Sequence, residues 1–195
     1  MWRHRAPDSP ADNGFTLIEL LVYMSLATII LTIVGGFMIN SLKVERDVTL
    51  AAEATTTAQL ISTSIQSAVR NGSSVSVVAA GVDGSQVLVT RTTTRASTVS
   101  WVCQAWYYSA SNKAVYTKTS ATPAVAIALP ASAPVGTWTL LGSGISPSKS
   151  GVSVFGATSA SATLNFEVAA GTRAPVSVET KAFTRIKVPV STPCF

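Results

Sequence analysis

The amino-acid sequence predicts an α+β fold, in which one long N-terminal α-helix packs on a C-terminal antiparallel β-sheet domain. Three features of the 195-residue chain support this prediction. An apolar run without a charge lies between Glu19 and Lys43. A pattern of apolar residues at spacings of three and four follows it, as in an amphipathic helix. After Asn71, short β-type runs alternate with Gly, Pro, Asn and Ser, which is typical of antiparallel strands joined by turns.

The N-terminal segment combines a polar stretch with an apolar run long enough to cross a bilayer. Residues 1–14 are polar and contain Pro7 and Pro10. At 1.5 Å per residue, the uncharged run would form a helix about 35 Å long, which spans a bilayer core with some tilt. Arg3 and Arg5 precede the run and favour a cytoplasmic N-terminus.

Glu19 separates three interpretations of this segment. A secretory signal peptide has a shorter apolar region and is cut after it. A signal anchor gives no reason for an isolated carboxylate, whose insertion into lipid costs about 3 kcal/mol. Cleavage between Gly14 and Phe15 would instead create a charged amine about one helical turn from Glu19. In a polymer, the carboxylate of one subunit could pair with the amine of the next, which would remove two buried charges together and set the axial register.

These residues resemble a known sequence motif. The run Gly14-Phe15-Thr16-Leu17-Ile18-Glu19-Leu20-Leu21-Val22 is similar to the prepilin cleavage and methylation motif of type IV pilins and type II secretion pseudopilins. The resemblance implies a prepilin peptidase that cuts after Gly14 and methylates the Phe15 amine, and it implies Glu19 as the assembly residue. It also implies a pilin fold, a prepilin with a single pass through the cytoplasmic membrane, and an extracellular helical filament with other pilin subunits as partners.

The predicted boundaries follow from this reading. The leader peptide is 1–14, and the transmembrane or filament-core helix is 15–42. The head is 43–195, in which the helix continues over 43–71 and the β-rich part occupies 72–195.

Gly35 and Gly36 lie late in the apolar run. Each glycine weakens a helix by about 1 kcal/mol relative to alanine. One interpretation is local helix flexibility, which many pilins obtain from a proline in this region. The other is close helix packing through small residues.

The second half of the helix carries a modest apolar stripe, and Asn71-Gly72 supplies a stop signal. The stripe consists of Val44, Val48, Ala51, Thr55, Ala58, Ser62, Ile65 and Val69, with Leu60 and Ile61 beside it.

Nine strands are predicted after the helix, and the stretch 121–151 is expected to be a long loop with one or two of them inserted. They are Val75–Ala79, Gln86–Thr92, Thr98–Tyr108, Ala114–Lys118, Val125–Leu129, Thr137–Leu141, Val152–Phe155, Ala162–Val168 and Val176–Val188. The aromatic run Trp101–Tyr108 and the strand after it resemble the middle of minor pilins and J-type pseudopilins. In the last run, alternate residues predict one basic face with an aromatic and one buried face.

The chain has two cysteines, Cys103 and Cys194. An exported domain meets an oxidising environment, so an even pair favours a disulfide. Such a bridge would stabilise the head by about 4 kcal/mol in the chain-entropy description. The alternative is two buried thiols.

The region after residue 50 is basic, with ten Lys or Arg and four Asp or Glu residues. One interpretation is a basic, soluble surface. The other is contact with nucleic acid or with an anionic surface, since a domain of this charge favours both. The residues predicted for that contact are Arg91, Arg95, Lys181, Arg185 and Lys187.

Catalysis and metal binding find little support in the sequence. His4 is the single histidine and lies in the predicted leader, and the chain has no C-x-x-C pair and no phosphate-binding glycine loop. The sequence therefore predicts no catalytic residue, no metal and no cofactor. The function expected is a structural subunit, minor rather than major, with a priming, tip, DNA-uptake or adhesion role. The alternatives are a pseudopilin of a type II secretion system and a pilus-associated DNA-binding subunit.

Overall fold

The computed structural model describes residues 16–79, 83–93, 100–120, 126–128, 136–186 and 194. Helix α1 runs over Leu17–Arg70, and antiparallel strands follow it. This order confirms the predicted α+β class. The chain divides into two compact units, Met1–Arg46 and Asp47–Phe195.

In the first unit, helix α1 exposes apolar side chains on every side. Each large apolar residue from Leu17 to Leu42 has 52% or more of its surface accessible. The hydroxyls inside this stretch donate to carbonyl oxygens of their own helix, as Ser25 does to Val22 at 2.8 Å and Thr32 does to Thr28 at 2.8 Å. A helix that is apolar all round and internally hydrogen-bonded suits an apolar environment. Helix α1 is the one helix in the described part of the chain that is long and apolar enough to cross a membrane.

In the second unit, helix α1 buries a stripe of small and branched residues. The buried positions are Ala54, Ala58, Ile61, Ile65, Ala68 and Val69. The predicted stripe was therefore wrong in part, because Val48, Thr55 and Leu60 are exposed. The reason is close packing: a side chain at Gly142 on the facing strand would collide with the methyl group of Thr57. A surface this near favours alanine on the helix, which a search for large apolar residues overlooks.

The helix ends one residue before the predicted limit, and a strand begins almost at once. Asn71 forms the turn, and its N–H donates to the Ser67 carbonyl oxygen at 3.2 Å. Gly72 starts strand β1 where a Cβ would lie 2.7 Å from the Thr90 hydroxyl and 2.9 Å from the Arg91 carbonyl oxygen. Only glycine fits that approach, so the Asn71-Gly72 signal marks both the helix end and a packing constraint.

The first five strands form an antiparallel meander, sheet A, in the order β1-β2-β3-β4-β5. Its strands are β1 Gly72–Ala79, β2 Gln86–Thr93, β3 Trp101–Ser109, β4 Ala114–Thr119 and β5 Thr139–Ser143. The register pairs Arg91 with Cys103, and Ala105 with Lys118. Successive residues of a strand point to opposite faces, so Arg91, Cys103 and Lys118 lie on one face.

The other strands form sheet B around β8, which pairs with β6 and β7 and also with β9. They are β6 Ile145–Pro147, β7 Phe155–Thr158, β8 Ser161–Ala170 and β9 Arg173–Phe183. Along β9, exposed and covered residues alternate up to buried Ala182 and exposed Phe183. The alternation predicted for the last run is therefore found as far as residue 183.

Two apolar clusters form the interior of the head. The larger joins the buried helix stripe to one face of sheet A, including Leu88 and Trp106, and to sheet B through Phe155 and Phe166. Within it, the Trp106 indole N–H donates to the Ser64 hydroxyl at 3.2 Å. The smaller cluster lies on the other face of sheet A and contains Val87, Val89, Cys103, Ala105, Tyr107 and Cys194.

Several strand predictions need correction. The predicted strand Val176–Val188 extended too far, because β9 runs over Arg173–Phe183 and residues 184–186 are not in a strand. Residues 126–128 have no regular structure, and the rest of the predicted strand Val125–Leu129 lies outside the described residues. Predicted strand Val152–Phe155 was shifted, because β7 begins only at Phe155. Val154 is 1% exposed yet precedes the strand, so its burial arises from loop packing. Strand β6 was not predicted separately, because it has only three residues and ends in Pro147.

Candidate assembly site and basic surfaces

The start of helix α1 has the geometry of a helix capping motif. The Thr16 hydroxyl oxygen accepts the backbone N–H of Glu19 at 3.4 Å, and the helix begins at Leu17. A threonine followed three residues later by glutamate is the sequence signature of such a helix start. Thr16 was not among the predicted site residues, although this spacing would have found it.

The Glu19 carboxylate has a hydrogen-bond donor in its own helix. The Tyr23 hydroxyl, one turn later, donates to Glu19 Oε1 at 3.3 Å. Residues four apart share a helix face, so the sequence contained this signal as well. Both side chains are exposed, and the acidic residue in the first turn also suits the positive end of the helix dipole.

The predicted cleavage site itself, Gly14 and Phe15, lies outside the described residues. Its processing, and the part that Glu19 takes in assembly, stay predictions. Gly35 and Gly36 both lie inside helix α1, where an added Cβ would meet no atom of the chain within 4 Å. The two interpretations of these glycines also stay predictions.

Cys103 and Cys194 form a disulfide, as predicted, with 5.6 Å between their Cα atoms. Cys103 is 0% exposed on β3, and Cys194 is 5% exposed. The bridge therefore holds a residue next to the C-terminus against the smaller apolar cluster. It closes a sequence separation of 91 residues, which is long enough for a large effect on the unfolded state.

The basic residues predicted for nucleic acid lie on different sheets. Arg91, on β2 of sheet A, has its guanidinium 4.6 Å from the centre of the Trp101 ring. On the same face, the Lys118 ammonium lies 6.0 Å from the Trp138 ring. Sheet B carries Lys181, whose ammonium is 5.1 Å from the Phe183 ring. Arg95 and Lys187 lie outside the described residues.

Arg185 follows the end of β9 and contacts the end of helix α1. Its backbone N–H donates to the Arg70 carbonyl oxygen at 3.4 Å. Arg70 was missed by the sequence predictions, because 115 positions separate it from Arg185 and no local pattern joins them. Both residues line a pocket of about 350 Å³, which we call the arginine pocket. Its lining is Thr63, Gln66, Ser67, Arg70, Asn71 and Arg185.

Two other ionisable groups of the head, Asp83 and Tyr108, have shifted pKa values. The Asp83 carboxylate accepts the Ser85 hydroxyl at 2.8 Å and the Ser85 N–H at 3.1 Å. These bonds, the hydroxyl first, lower the pKa of Asp83 below its ordinary value. Burial raises the pKa of the Tyr108 hydroxyl, and the nearby Asp83 charge adds to this. Among the described residues, no three His, Cys, Asp or Glu side chains are grouped to hold a metal ion.

One comparison with known families gives a match, and it covers the N-terminal part of the chain. Residues 10–35 match the family described as the prokaryotic N-terminal methylation motif. No curated protein and no solved structure matches the chain.

The matched motif and the apolar helix that follows it define a class of protein. The motif and the helix support a membrane-anchored prepilin that is assembled into a surface filament, and the motif implies processing by a prepilin peptidase and assembly with other pilins. The chain is a type IV pilin-like prepilin. Pilins are structural proteins. The chain beyond residue 35, including the whole head, lies outside the match.

Proposed function

We propose that the chain is cut after Gly14 and that the mature subunit, beginning at Phe15, enters a type IV pilus-like filament as a minor component with a priming or tip role. The observation that carries the proposal is the position of the Glu19 carboxylate in a helix whose large apolar side chains are all exposed. Such a carboxylate is costly in lipid unless a partner neutralises it. The terminal amine of a neighbouring subunit is a partner of the right charge.

The hydrogen bonds at the helix start support this pairing. Tyr23 occupies Oε1 of Glu19, while Oε2 has no donor within the described part of the chain. An incoming amine could therefore bind the carboxylate without displacing the tyrosine. Because the amine and the carboxylate would lose their water together, the pair offsets part of the desolvation cost and fixes the axial register.

The size of the head and its β-rich part favour a minor subunit over a major one. A deletion strain separates these roles: loss of all filament mass indicates a major subunit, and loss of initiation or of one function indicates a minor one. The alternative is a pseudopilin of a type II secretion system. In that case, deletion would block export of secreted proteins and leave surface pili intact.

The decisive experiment is mass spectrometry of the chain in a sheared filament fraction. We expect an N-terminal peptide that begins at methylated Phe15. A chain that still begins at Met1 and stays in the membrane fraction would exclude the proposal. Gly14→Asp is the matched variant, and it should leave the precursor uncut.

DNA binding is the second candidate function. It is favoured by the face of sheet A that carries the smaller apolar cluster. That face presents Arg91 and Lys118, each beside a tryptophan ring, and the described strands of sheet A contain no acidic residue. Phosphate contacts weaken steeply as salt rises. A DNA mobility shift that disappears between 50 and about 200 mM salt, and is reduced by Arg91→Ala, would support this role. A shift that is absent or insensitive to salt would exclude it.

A further inference from the structure

Two arginines, Arg70 and Arg185, line the arginine pocket, and no salt bridge engages either within the described residues. Arg70 and Arg185 are both exposed, and the salt bridge between Lys149 and Glu179, at 3.2 Å, lies elsewhere. Arg70 Nη2 donates to the side-chain oxygen of Gln66 at 3.4 Å, which leaves most of its donors available.

The position of the pocket at the end of helix α1 explains the presence of one arginine there, but not of two. A basic residue in the last turn of a helix is stabilised by the negative end of the helix dipole, and Arg70 has that position. A second arginine that lines the same pocket adds repulsion unless an anion joins the two. Arginines bind carboxylates through paired N–H donors, and the hydroxyl and amide groups of the lining can support such a contact.

A candidate anion for the arginine pocket is a carboxylate nearer the N-terminus of the same helix. Glu53 is exposed, and no salt bridge or hydrogen bond engages its carboxylate in the described part of the chain. Asp47 differs, because its carboxylate accepts the Thr172 hydroxyl at 3.1 Å. Glu53 borders a second pocket of about 350 Å³ that includes Leu140, whose side chain is 54% exposed.

We propose that the arginine pocket of one copy receives the Glu53 carboxylate of a second copy of this chain. At 1.5 Å per residue, Glu53 and Arg70 are about 25 Å apart along the helix. Parallel copies displaced by that distance along the filament axis would bring the two sites together. The contact is head-to-tail, so it repeats without closing, as a filament requires. It rests on the proposed function in a filament.

Charge reversal tests the contact in cells. Arg70→Glu with Arg185→Glu should lower the amount of chain in sheared filaments by about tenfold, since like charges would then face each other. Adding Glu53→Arg to this variant should restore incorporation. The control is Lys113→Glu with Arg173→Glu, which changes the net charge equally on exposed residues of the same head. Formation of the Cys103–Cys194 bridge, read on a non-reducing gel, checks that each variant folds.

Cross-linking tests the geometry. A chain with both Glu53→Cys and Arg70→Cys should give a ladder of multimers when intact filaments are oxidised. The two positions are too far apart within one chain to bond. Each single variant should give no ladder.

The outcomes separate this contact from the filament role. Absence of the unsubstituted chain from filaments would overturn both. Normal incorporation of the Arg70→Glu, Arg185→Glu variant, or failure of Glu53→Arg to restore it, would overturn the contact alone. Loss of DNA binding by the double variant with unchanged incorporation would assign the pocket to nucleic acid and would also overturn the contact.

Discussion

The helix of the first unit and the head use their apolar residues in opposite ways. In the helix, Leu17 and Phe37 are 78% and 71% exposed, whereas Ile61, Trp106 and Phe166 in the head are fully buried. The head thus buries most of its apolar surface within one chain, and a disulfide stabilises it further. The N-terminal helix depends on lipid or on other subunits. Changes to the exposed apolar residues of the first unit should therefore affect assembly, and changes to the buried apolar residues of the head should affect folding.

The largest effect is expected for Glu19→Gln, which removes the charge and preserves the shape. An amine left without its carboxylate in an apolar interface costs about 3–5 kcal/mol, so incorporation into filaments should fall by about 100-fold or more. Membrane insertion and cleavage should be unchanged, because the apolar run and Gly14 remain. The measurement is the ratio of filament to membrane protein by immunoblot.

Ser25→Ala is the matched control for this change. Its hydroxyl bonds only the Val22 carbonyl oxygen of the same helix, at 2.8 Å, so its loss should leave incorporation intact. Equal incorporation of Glu19→Gln and the unsubstituted chain would remove the basis of the register argument.

The disulfide should have the next largest effect, and on stability rather than on assembly chemistry. Replacing Cys103 and Cys194 by serine releases the constraint on the unfolded chain, so the free energy of unfolding should fall by about 4 kcal/mol. For a head of this size the melting temperature should decrease by about 10 °C. The measurement is thermal unfolding of the full chain in detergent, followed by circular dichroism.

Reduction of the unsubstituted chain is the control for that experiment. It should reproduce the decrease, while the reductant should leave the melting temperature of the serine variant unchanged. A variant as stable as the oxidised chain would show that the bridge contributes nothing to the fold.

Two adjacent residues of the helix test the corrected buried face. Ile61 is 0% exposed and Leu60 is 48% exposed, although both were predicted beside the apolar stripe. Ile61→Ala should lower the free energy of unfolding by about 3 kcal/mol, because it opens a cavity in the larger cluster. Leu60→Ala should change it by less than about 1 kcal/mol. Urea unfolding of the two variants gives both values, and equal losses would show that the helix packs on another face.

The contrast between Ile61 and Leu60 shows how far sequence patterns reach. The helix, the antiparallel strands and the disulfide were predictable, because length, alternation and an even pair of cysteines are strong local signals. The exact helix face was not, since the close approach at Gly142 favours alanines that carry little apolar signal. Strand β6 was hidden by its three residues and by Pro147.

The candidate sites differ in the same way, in whether a local sequence signal predicts them. Glu19 stands out because one acidic residue interrupts an apolar run, and its companions Thr16 and Tyr23 follow at fixed helical spacings. The arginine pocket has no such signature, because Arg70 and Arg185 meet only through the fold. Local chemistry could be predicted from the sequence, whereas sites made by distant segments could not.

The smallest effect is expected in the loop before β2, where the Asp83 carboxylate accepts two hydrogen bonds from Ser85. Its pKa in the folded chain lies below the ordinary value of 3.8. The ionised form therefore favours folding above pH 3.8, and this contribution is lost as the pH falls through the lower, folded-state pKa. Asp83→Asn should lower the melting temperature slightly at pH 7, and the difference should vanish in strong acid. Ser85→Ala should lower the melting temperature further at pH 7, because the Ser85 hydroxyl donates to Asp83 and also accepts the Ala110 N–H at 3.0 Å. A difference between Asp83→Asn and the unsubstituted chain that grows towards low pH would contradict this, because the aspartate would then favour folding in its protonated form.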